Sequence, residues 1–353
     1  MIVAAFLGFL LVVFLIIGSG AAEVGSAMLV LGWRLAPITL FHLAPLTFDA
    51  LAWRELFPAK GRSDERPSLD RPKGRSDERP SPDRRPGVLT FIWMRWIRES
   101  VSSLLPVAGV GGDAVAARLV HQRGVPGAQA AASMVADITV GAAAQVIFVI
   151  IGVILLAAGA GGRATAATAW ALLAGAAVFA AAIGAFVLIQ HNSMFGFILR
   201  AARRLAPKTW LPALSGRAEA IDEALIATYR RRAALARSSL LRLIGMAVGA
   251  GEVWLTTRFI GKPLSLTDAL ILESLVSGVR AAAFIAPGGL GAQEGGLVLF
   301  GALFGLPPDL ALAVALTKRV RELALGLPGL VAWQWVEGRH WLARRADKAS
   351  SAS

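Results

Sequence analysis

Apolar residues fill long, nearly uninterrupted runs along this chain. Six of these runs are long enough to cross about 30 Å of hydrocarbon as helices. They are 1–18, 36–53, 129–157, 165–190, 238–259 and 309–335. A segment in lipid must pair its own backbone N–H and C=O groups, and the chain lacks the short alternating strands of a barrel. The pattern predicts an all-α integral membrane protein.

Two further apolar stretches, about 91–120 and 267–305, are broken in the middle by Pro and Gly. Pro and Gly end helices, and unpaired backbone groups at membrane depth are tolerated only within protein or beside a water-filled cavity. Each stretch is therefore predicted to be a re-entrant pair of short helices, or, if both cross the bilayer, to bring the number of spans to eight. The predicted breaks lie at Pro106, Gly109, Gly111, Pro287, Gly288, Gly289 and Gly291.

The order of these elements is repeated along the chain as two spans, a broken stretch and a span. The spans that follow the two breaks are offset by about 180 residues, close to the 181 that separate Pro106 from Pro287. We interpret residues 1–157 and 165–335 as two repeats of opposite orientation within one membrane domain, 1–353. Inverted repeats with interrupted helices are typical of transporters, whose substrate sites lie near the midplane.

Composition supports a membrane location. The chain is 56% hydrophobic and 17% charged, with a mean hydropathy of +0.62, whereas soluble domains carry about 25% charged residues. A net charge of +13 would suggest nucleic acid in a soluble protein. Here the basic residues lie between spans, where Lys and Arg keep loops in the cytoplasm, so membrane lipids and no nucleic acid are the expected partners.

This charge pattern predicts a multi-pass protein of a bacterial inner membrane with both termini in the cytoplasm, including a tail at 338–353. A cytoplasmic insert at 59–88 contains a 13-residue tandem duplication, KGRSDERPSLDR at 60–71 and KGRSDERPSPDR at 73–84. Its lack of apolar residues favours a disordered loop over a nucleic-acid or headgroup-binding arm. The basic segment 200–237 is predicted to be an amphipathic helix on the membrane surface.

Ionisable residues within the apolar runs are the candidates for function, because they are costly in a membrane. Asp113 and Glu294 each follow a break by the same spacing, so they either cap a helix or face a cavity. Glu273 and Arg280 share one helical face with Ser277, and Lys318 is placed to pair with Glu322. The predicted substrate-binding residues are Arg98, Asp113, Glu273, Arg280, Glu294, Lys318, Arg319 and Glu322.

Other polar positions suggest no chemistry. Asp137 is interpreted as an interfacial residue, and Glu252 is left open as an internal ion-pair partner. There is no Cys, no P-loop and no GxSxG motif. The sequence therefore predicts neither enzyme activity nor a cofactor nor a metal. The histidines are expected at loops or interfaces: His42, His121, His191 and His340.

Three segments resemble the transmembrane family of lysylphosphatidylglycerol synthases, also described as flippase-like. They are WIRESVSSLLPVAGVGGDAVAAR at 96–118, APGGLGAQEGG at 286–296 and LTKRVRELALGLPGL at 316–330. The resemblance covers nearly the whole chain except the duplicated insert, and within the family it is strongest to the HpnL-type hopanoid-associated membrane proteins. The resemblance does not extend to the soluble aminoacyl-transfer domain of the synthases, so it does not imply synthase activity.

The resemblance implies lipid handling. Our leading hypothesis is a flippase or transport protein that moves an amphiphilic lipid, a hopanoid or a phospholipid derivative, through a charged cavity between the two broken helices. The alternative is a membrane scaffold or accessory subunit that binds lipid-biosynthesis enzymes without moving lipid. The lipid, the direction, the energy source and the oligomeric state are left open by the sequence.

Overall fold

The fold is known from a computed structural model. It describes residues 26, 29–58, 86–105, 110–159, 211–283 and 291–350, with the backbone alone at 110, 159, 211–217 and 340–350. The predicted spans 1–18 and 165–190 lie outside these residues. Most of the insert does too, as do Pro106, Gly109, Pro287, Gly288 and Gly289.

The described residues form ten α-helices and no strand. In chain order these are α1 (Leu35–Phe41), α2 (Leu43–Glu55), α3 (Val88–Leu104), α4 (Val110–His121), α5 (Gly127–Gly159), α6 (Leu211–Arg230), α7 (Arg232–Phe259), α8 (Leu266–Ala282), α9 (Ala292–Gly301) and α10 (Pro308–Ser350). A 3₁₀ turn at Gly32–Arg34 precedes α1, and another at Ala302–Phe304 follows α9.

Three of the predicted spans coincide with helices that are long and apolar enough to cross a membrane. These helical segments are Leu29–Glu55, Gly127–Ala158 and Arg232–Phe259. The fourth, 309–335, forms the first part of α10 but is not among the three, because it carries a cluster of charged residues. Ile147, Ile151 and Ile154 lie exposed along one side of α5, as expected for a helix that faces lipid.

Both broken stretches contain two helices, as predicted. The first divides into α3 and α4, and the second into α8 and α9. Gly111 lies in the first turn of α4. Gly291 precedes α9 with a φ of +80°, a left-handed conformation that side chains disfavour and glycine adopts freely.

Helix packing follows the order of the two proposed repeats. α2 packs against α7, α3 packs against α10, and α8 packs against α5. When α2, α3 and α5 are exchanged for α7, α8 and α10, this set of contacts is unchanged. The first helix of each broken stretch therefore packs against the long helix of the other half.

Glycines allow these exchanged pairs to come close together. A Cβ at Gly152 of α5 would lie 2.8 Å from the Cβ of Ser274 in α8, and one at Gly278 would lie 2.8 Å from a methyl of Val149. On the other side, a Cβ at Gly326 of α10 would lie 2.6 Å from Leu104 of α3. Small residues at helix contacts are the usual means of close packing in membranes, where dispersion rather than water exclusion drives association.

Two apolar cores form beside these contacts. One core is formed by residues of the helices from α2 through α6, and in it Trp53 lies edge-on to Phe91 with ring centroids 5.0 Å apart. The other joins the end of α5 to α7, α8, α9 and α10 around Leu272 and Leu297. Helix α6, within the predicted surface segment 200–237, packs against α5 through buried Leu225.

We predict that Gly152→Ala lowers the thermal midpoint of the purified protein in detergent. The added methyl group forces α5 and α8 apart, and overpacking of this kind costs about 1–3 kcal/mol. Gly338→Ala is the matched control, since Gly338 is an exposed helical glycine of α10 and a methyl group added there would have no other atom within 4 Å. Alanine favours a helix by up to about 1 kcal/mol over glycine, so this control should not melt earlier than the parent protein. Equal midpoints for both variants would contradict the close-packing account.

Candidate functional site: a charged cavity between the helices

A cavity of about 550 Å³ lies between the helices. The last turns of α3 and α8, the helices that end at the two breaks, both line it, through Ser102 and Ser103 on one side and Arg280 and Ala283 on the other. The remaining lining comes from α2, α5, α7 and α10, together with His42 between α1 and α2. The two broken stretches therefore meet at one cavity.

The cavity is lined by an unusual number of ionisable groups for a membrane protein. With His42 neutral, five basic and five acidic side chains balance to a formal charge of zero. They are Arg95, Arg242, Arg280, Lys318 and Arg321, and Asp49, Glu99, Glu252, Glu273 and Glu322. Balance is expected, because an unpaired charge at membrane depth is expensive.

Helix α10 is joined to three other helices by charged residues that lie close together in its sequence. Its Lys318 pairs with Glu273 of α8 at 2.5 Å, and Arg319 pairs with Glu294 of α9 at 2.8 Å. Arg321 donates to both carboxylate oxygens of Glu252 in α7, at 2.7 and 2.8 Å. Because successive helical residues point in directions about 100° apart, neighbouring charges of one helix reach different partners.

A second ionic cluster surrounds Asp137 of α5, whose side chain is fully buried. One carboxylate oxygen accepts from Arg98 of α3 and the other from Arg242 of α7. Arg95 lies 3.7 Å away. Helices α3, α5 and α7 are thus joined at one carboxylate that is enclosed by the protein. The arginines that pair with Asp137 are distant in sequence, so the local pattern did not reveal this pairing.

Asp49 of α2 connects this buried cluster to the cavity. Its carboxylate accepts from Arg95 at 2.6 Å and lies 3.1 Å from Arg242. Both guanidinium groups line the cavity, and among the described residues the Nε atom of each is buried without a hydrogen-bond partner. These two arginines therefore retain donor capacity.

His42 lies between two carboxylates. Its Nε2 is 2.7 Å from Glu99 of α3, and its Nδ1 contacts Glu252 of α7. Arg321 also reaches Nδ1, at 2.6 Å. His42 lies in the turn between α1 and α2, as expected of a loop residue, but its ring is enclosed by charged partners. Glu252 is an internal ion-pair partner.

The acids after the two breaks have different surroundings. Glu294 accepts from the backbone N–H of Gly291 at 2.8 Å and also from Arg319, so it both caps α9 and joins the ionic network. Asp113 pairs with Arg98 across the first break. Each carboxylate thus binds an arginine, although Asp113 and Glu294 do not line the cavity.

Arg280 is the most accessible cation of the cavity lining. Its side chain is 49% exposed, 4.0 Å from Glu322 and 3.4 Å from the side-chain oxygen of Gln293. Lys318 and Arg321, by contrast, are 8% exposed and closely paired. Arg280 is therefore the cation that can turn towards an added negative group at the least cost in broken ion pairs.

The structure divides the eight predicted substrate-binding residues into two sets. Glu273, Arg280, Lys318 and Glu322 line the cavity, whereas Arg98, Asp113, Glu294 and Arg319 form ion pairs outside its lining. The predicted i,i+4 pair between Lys318 and Glu322 is wrong. Lys318 reaches Glu273 instead, and Glu322 binds Arg319.

Several cavity residues were missed by the sequence predictions: His42, Asp49, Arg95, Glu99, Arg242 and Arg321. Asp49 and Arg242 lie within the predicted spans 36–53 and 238–259, and an ionisable residue within a span is a signal that could have identified them. Arg95 and Glu99 lie one helical turn apart on α3, so a polar face of this helix was also visible.

The apolar helices and the enclosed charges define a multi-pass α-helical membrane protein with a polar interior. Residues 1–329 match the model of the family described as "Lysylphosphatidylglycerol synthase TM region", and the chain belongs to this family. Membership connects the protein with lipid metabolism in a membrane. No curated protein and no solved structure matches the chain.

We predict that Asp137→Asn strongly destabilises the protein. The substitution leaves Arg98 and Arg242 buried without their shared counter-charge, and removal of one partner from a buried ion pair costs about 3–5 kcal/mol. The thermal midpoint in detergent measures the effect. Glu223→Gln, an exposed position on α6, is the control and should change the midpoint little. A stable Asp137→Asn protein would show that the cluster is not required for folding.

Proposed function

We propose that this protein is a lipid flippase or lipid-transport protein of a bacterial inner membrane, with both termini in the cytoplasm. It moves an amphiphilic lipid, a hopanoid or a phospholipid derivative, without converting it chemically. The single observation that carries this proposal is the charged cavity lined by the ends of α3 and α8, the helices that end at the two breaks.

The cavity suits the polar head of a lipid. Its volume of about 550 Å³ lies within the range of about 300–1,000 Å³ usual for small-molecule sites. A polar headgroup cannot cross hydrocarbon cheaply, because its lost hydrogen bonds to water must be replaced. The cavity supplies those replacements, while the apolar tail of the lipid can stay in the bilayer.

Four of the lining residues are assigned to the headgroup: Glu273, Arg280, Lys318 and Glu322. Arg280 makes first contact with a negative group because it is the least committed cation. Glu322 lies near Arg280, Arg319 and Arg321, so a ligand that draws Arg280 away leaves Glu322 with two arginines nearby. Arg98, Asp113, Glu294 and Arg319 hold the helices around the cavity.

An inverted-repeat arrangement supports alternating access. Exchange of the two halves preserves the three contacts α2–α7, α3–α10 and α5–α8, and transporters with inverted repeats expose a central site by rocking one half against the other. In this interpretation the two broken stretches enter from opposite faces of the membrane. The glycine contacts between α5 and α8 and between α10 and α3 are the surfaces where the halves meet.

The alternative function is a membrane scaffold or accessory subunit for lipid-biosynthesis enzymes. The observation in its favour is the extent of internal pairing, since most charges of the cavity already bind one another and a purely structural network would do the same. A scaffold requires no lipid movement. The two functions are therefore separated by measuring lipid movement directly.

We predict that purified protein in liposomes moves a fluorescent lipid between leaflets and that Arg280→Ala reduces the rate at least about tenfold. Loss of one charged hydrogen bond to a ligand costs about 1.5–3 kcal/mol, and about 1.4 kcal/mol corresponds to a factor of ten. Dithionite quenching of labelled lipid in the outer leaflet measures the rate. Labelled phospholipid and labelled hopanoid are compared in parallel to identify the substrate.

Arg237→Ala is the matched control for this experiment. Arg237 also forms an arginine–carboxylate pair, with Glu55 at 2.9 Å, but it is 60% exposed and lies outside the cavity lining. Its variant should retain the parental rate. Absence of lipid movement in the parent protein, together with capture of a lipid-biosynthesis enzyme, would favour the scaffold instead.

A further inference from the structure

The hydrogen-bond partners of His42 cannot all be satisfied at once. Glu252 offers only acceptors to Nδ1, so that contact requires a hydrogen on Nδ1. Arg321 offers only donors to the same nitrogen, so that contact requires Nδ1 to be bare. The proton on Nδ1 thus decides which of two neighbours the ring engages.

The surroundings of the other ring nitrogen, Nε2, favour a hydrogen on that atom. Nε2 is 2.7 Å from the carboxylate of Glu99, which accepts a hydrogen bond and cannot donate one when ionised. With hydrogens on both nitrogens, His42 is an imidazolium held between two carboxylates from different helices. Without the Nδ1 hydrogen it is neutral, donates to Glu99 and accepts from Arg321.

We propose that His42 is the proton-binding site of the cavity. A hydronium ion in the cavity transfers its proton to Nδ1, an N–H bond forms, and water is released; the reverse step returns the proton to water. The groups that face the ring are Glu99 from α3, Glu252 from α7 and Arg321 from α10. The His42 side chain itself lines the cavity, which gives the proton access to the ring.

Protonation of His42 has an electrical consequence for the cavity. The other charged groups of the lining balance to zero, so one added proton makes the lining positive by one unit. Protonation also gives Glu252 a second cationic partner beside Arg321. Glu252 of α7 then depends less on Arg321 of α10 for its counter-charge. Binding of a proton is therefore coupled to the helix contacts around the cavity. This role deepens the proposed transport function and rests on it only for the use made of the proton.

The first test reads protonation itself and needs no transport. Protein labelled with ¹⁵N-histidine is placed in nanodiscs, and the imidazole nitrogen signals are recorded from acidic to alkaline pH, about pH 4 to 10, a range that spans the ordinary histidine pKa. We expect the signals that are missing in His42→Gln and retained in His121→Gln to change from the imidazolium pattern to the neutral pattern in this range. His121 contacts the carbonyl of Val125 and lies outside the cavity lining.

If His42→Gln does not fold, a variant with His121→Gln, His191→Gln and His340→Gln leaves His42 as the sole histidine and makes the assignment direct. Signals of His42 that keep one protonation pattern over the whole range overturn the proposal.

The second test reads coupling. Lipid movement is measured in liposomes with and without an imposed pH gradient, which a dye for internal pH reports. The parent protein should move lipid at least about threefold faster with the gradient. His42→Gln should move lipid at the same rate with and without it. Lipid movement that is unaffected by the gradient in the parent protein overturns the coupling and leaves transport intact. A titrating His42 without any lipid movement would refute transport and leave the proton site intact.

Discussion

Charge balance in the interior is the constraint on which this structure depends. Removing an ion from water costs several kcal/mol unless a partner of opposite sign is close and well oriented. Asp137, Glu252 and Glu294 are almost completely buried, and each is bound by arginine from another helix. Since no helix carries both members of these pairs, the ionised residues fix which helices must be neighbours.

Packing and polar chemistry thereby support one another. A Cβ at Gly245 of α7 would lie 3.1 Å from the Cβ of Phe48 in α2, and the same two helices are joined by Arg242 and Asp49. The apolar cores around Trp53 and Leu272 then surround the polar interior. The cavity lies where α3 and α8 end and is lined by the last residues of both.

Much of the architecture was predictable from local sequence, and much of the site was not. Long apolar runs identified α5 and α7, and Pro and Gly located the ends of α3 and α8. Partner choice was less accessible: Lys318 pairs with Glu273 rather than with nearby Glu322. A single helix reveals which residues share a face, whereas the neighbour opposite that face depends on tertiary packing. The arginine partners of Asp137 were hidden for the same reason.

The successive charges of α10 have a mechanical consequence. Lys318, Arg319 and Arg321 hold three different helices, so a small axial slide or rotation of α10 disturbs all three ion pairs together. Any motion of α10 is therefore resisted by three ion pairs to three different helices at once.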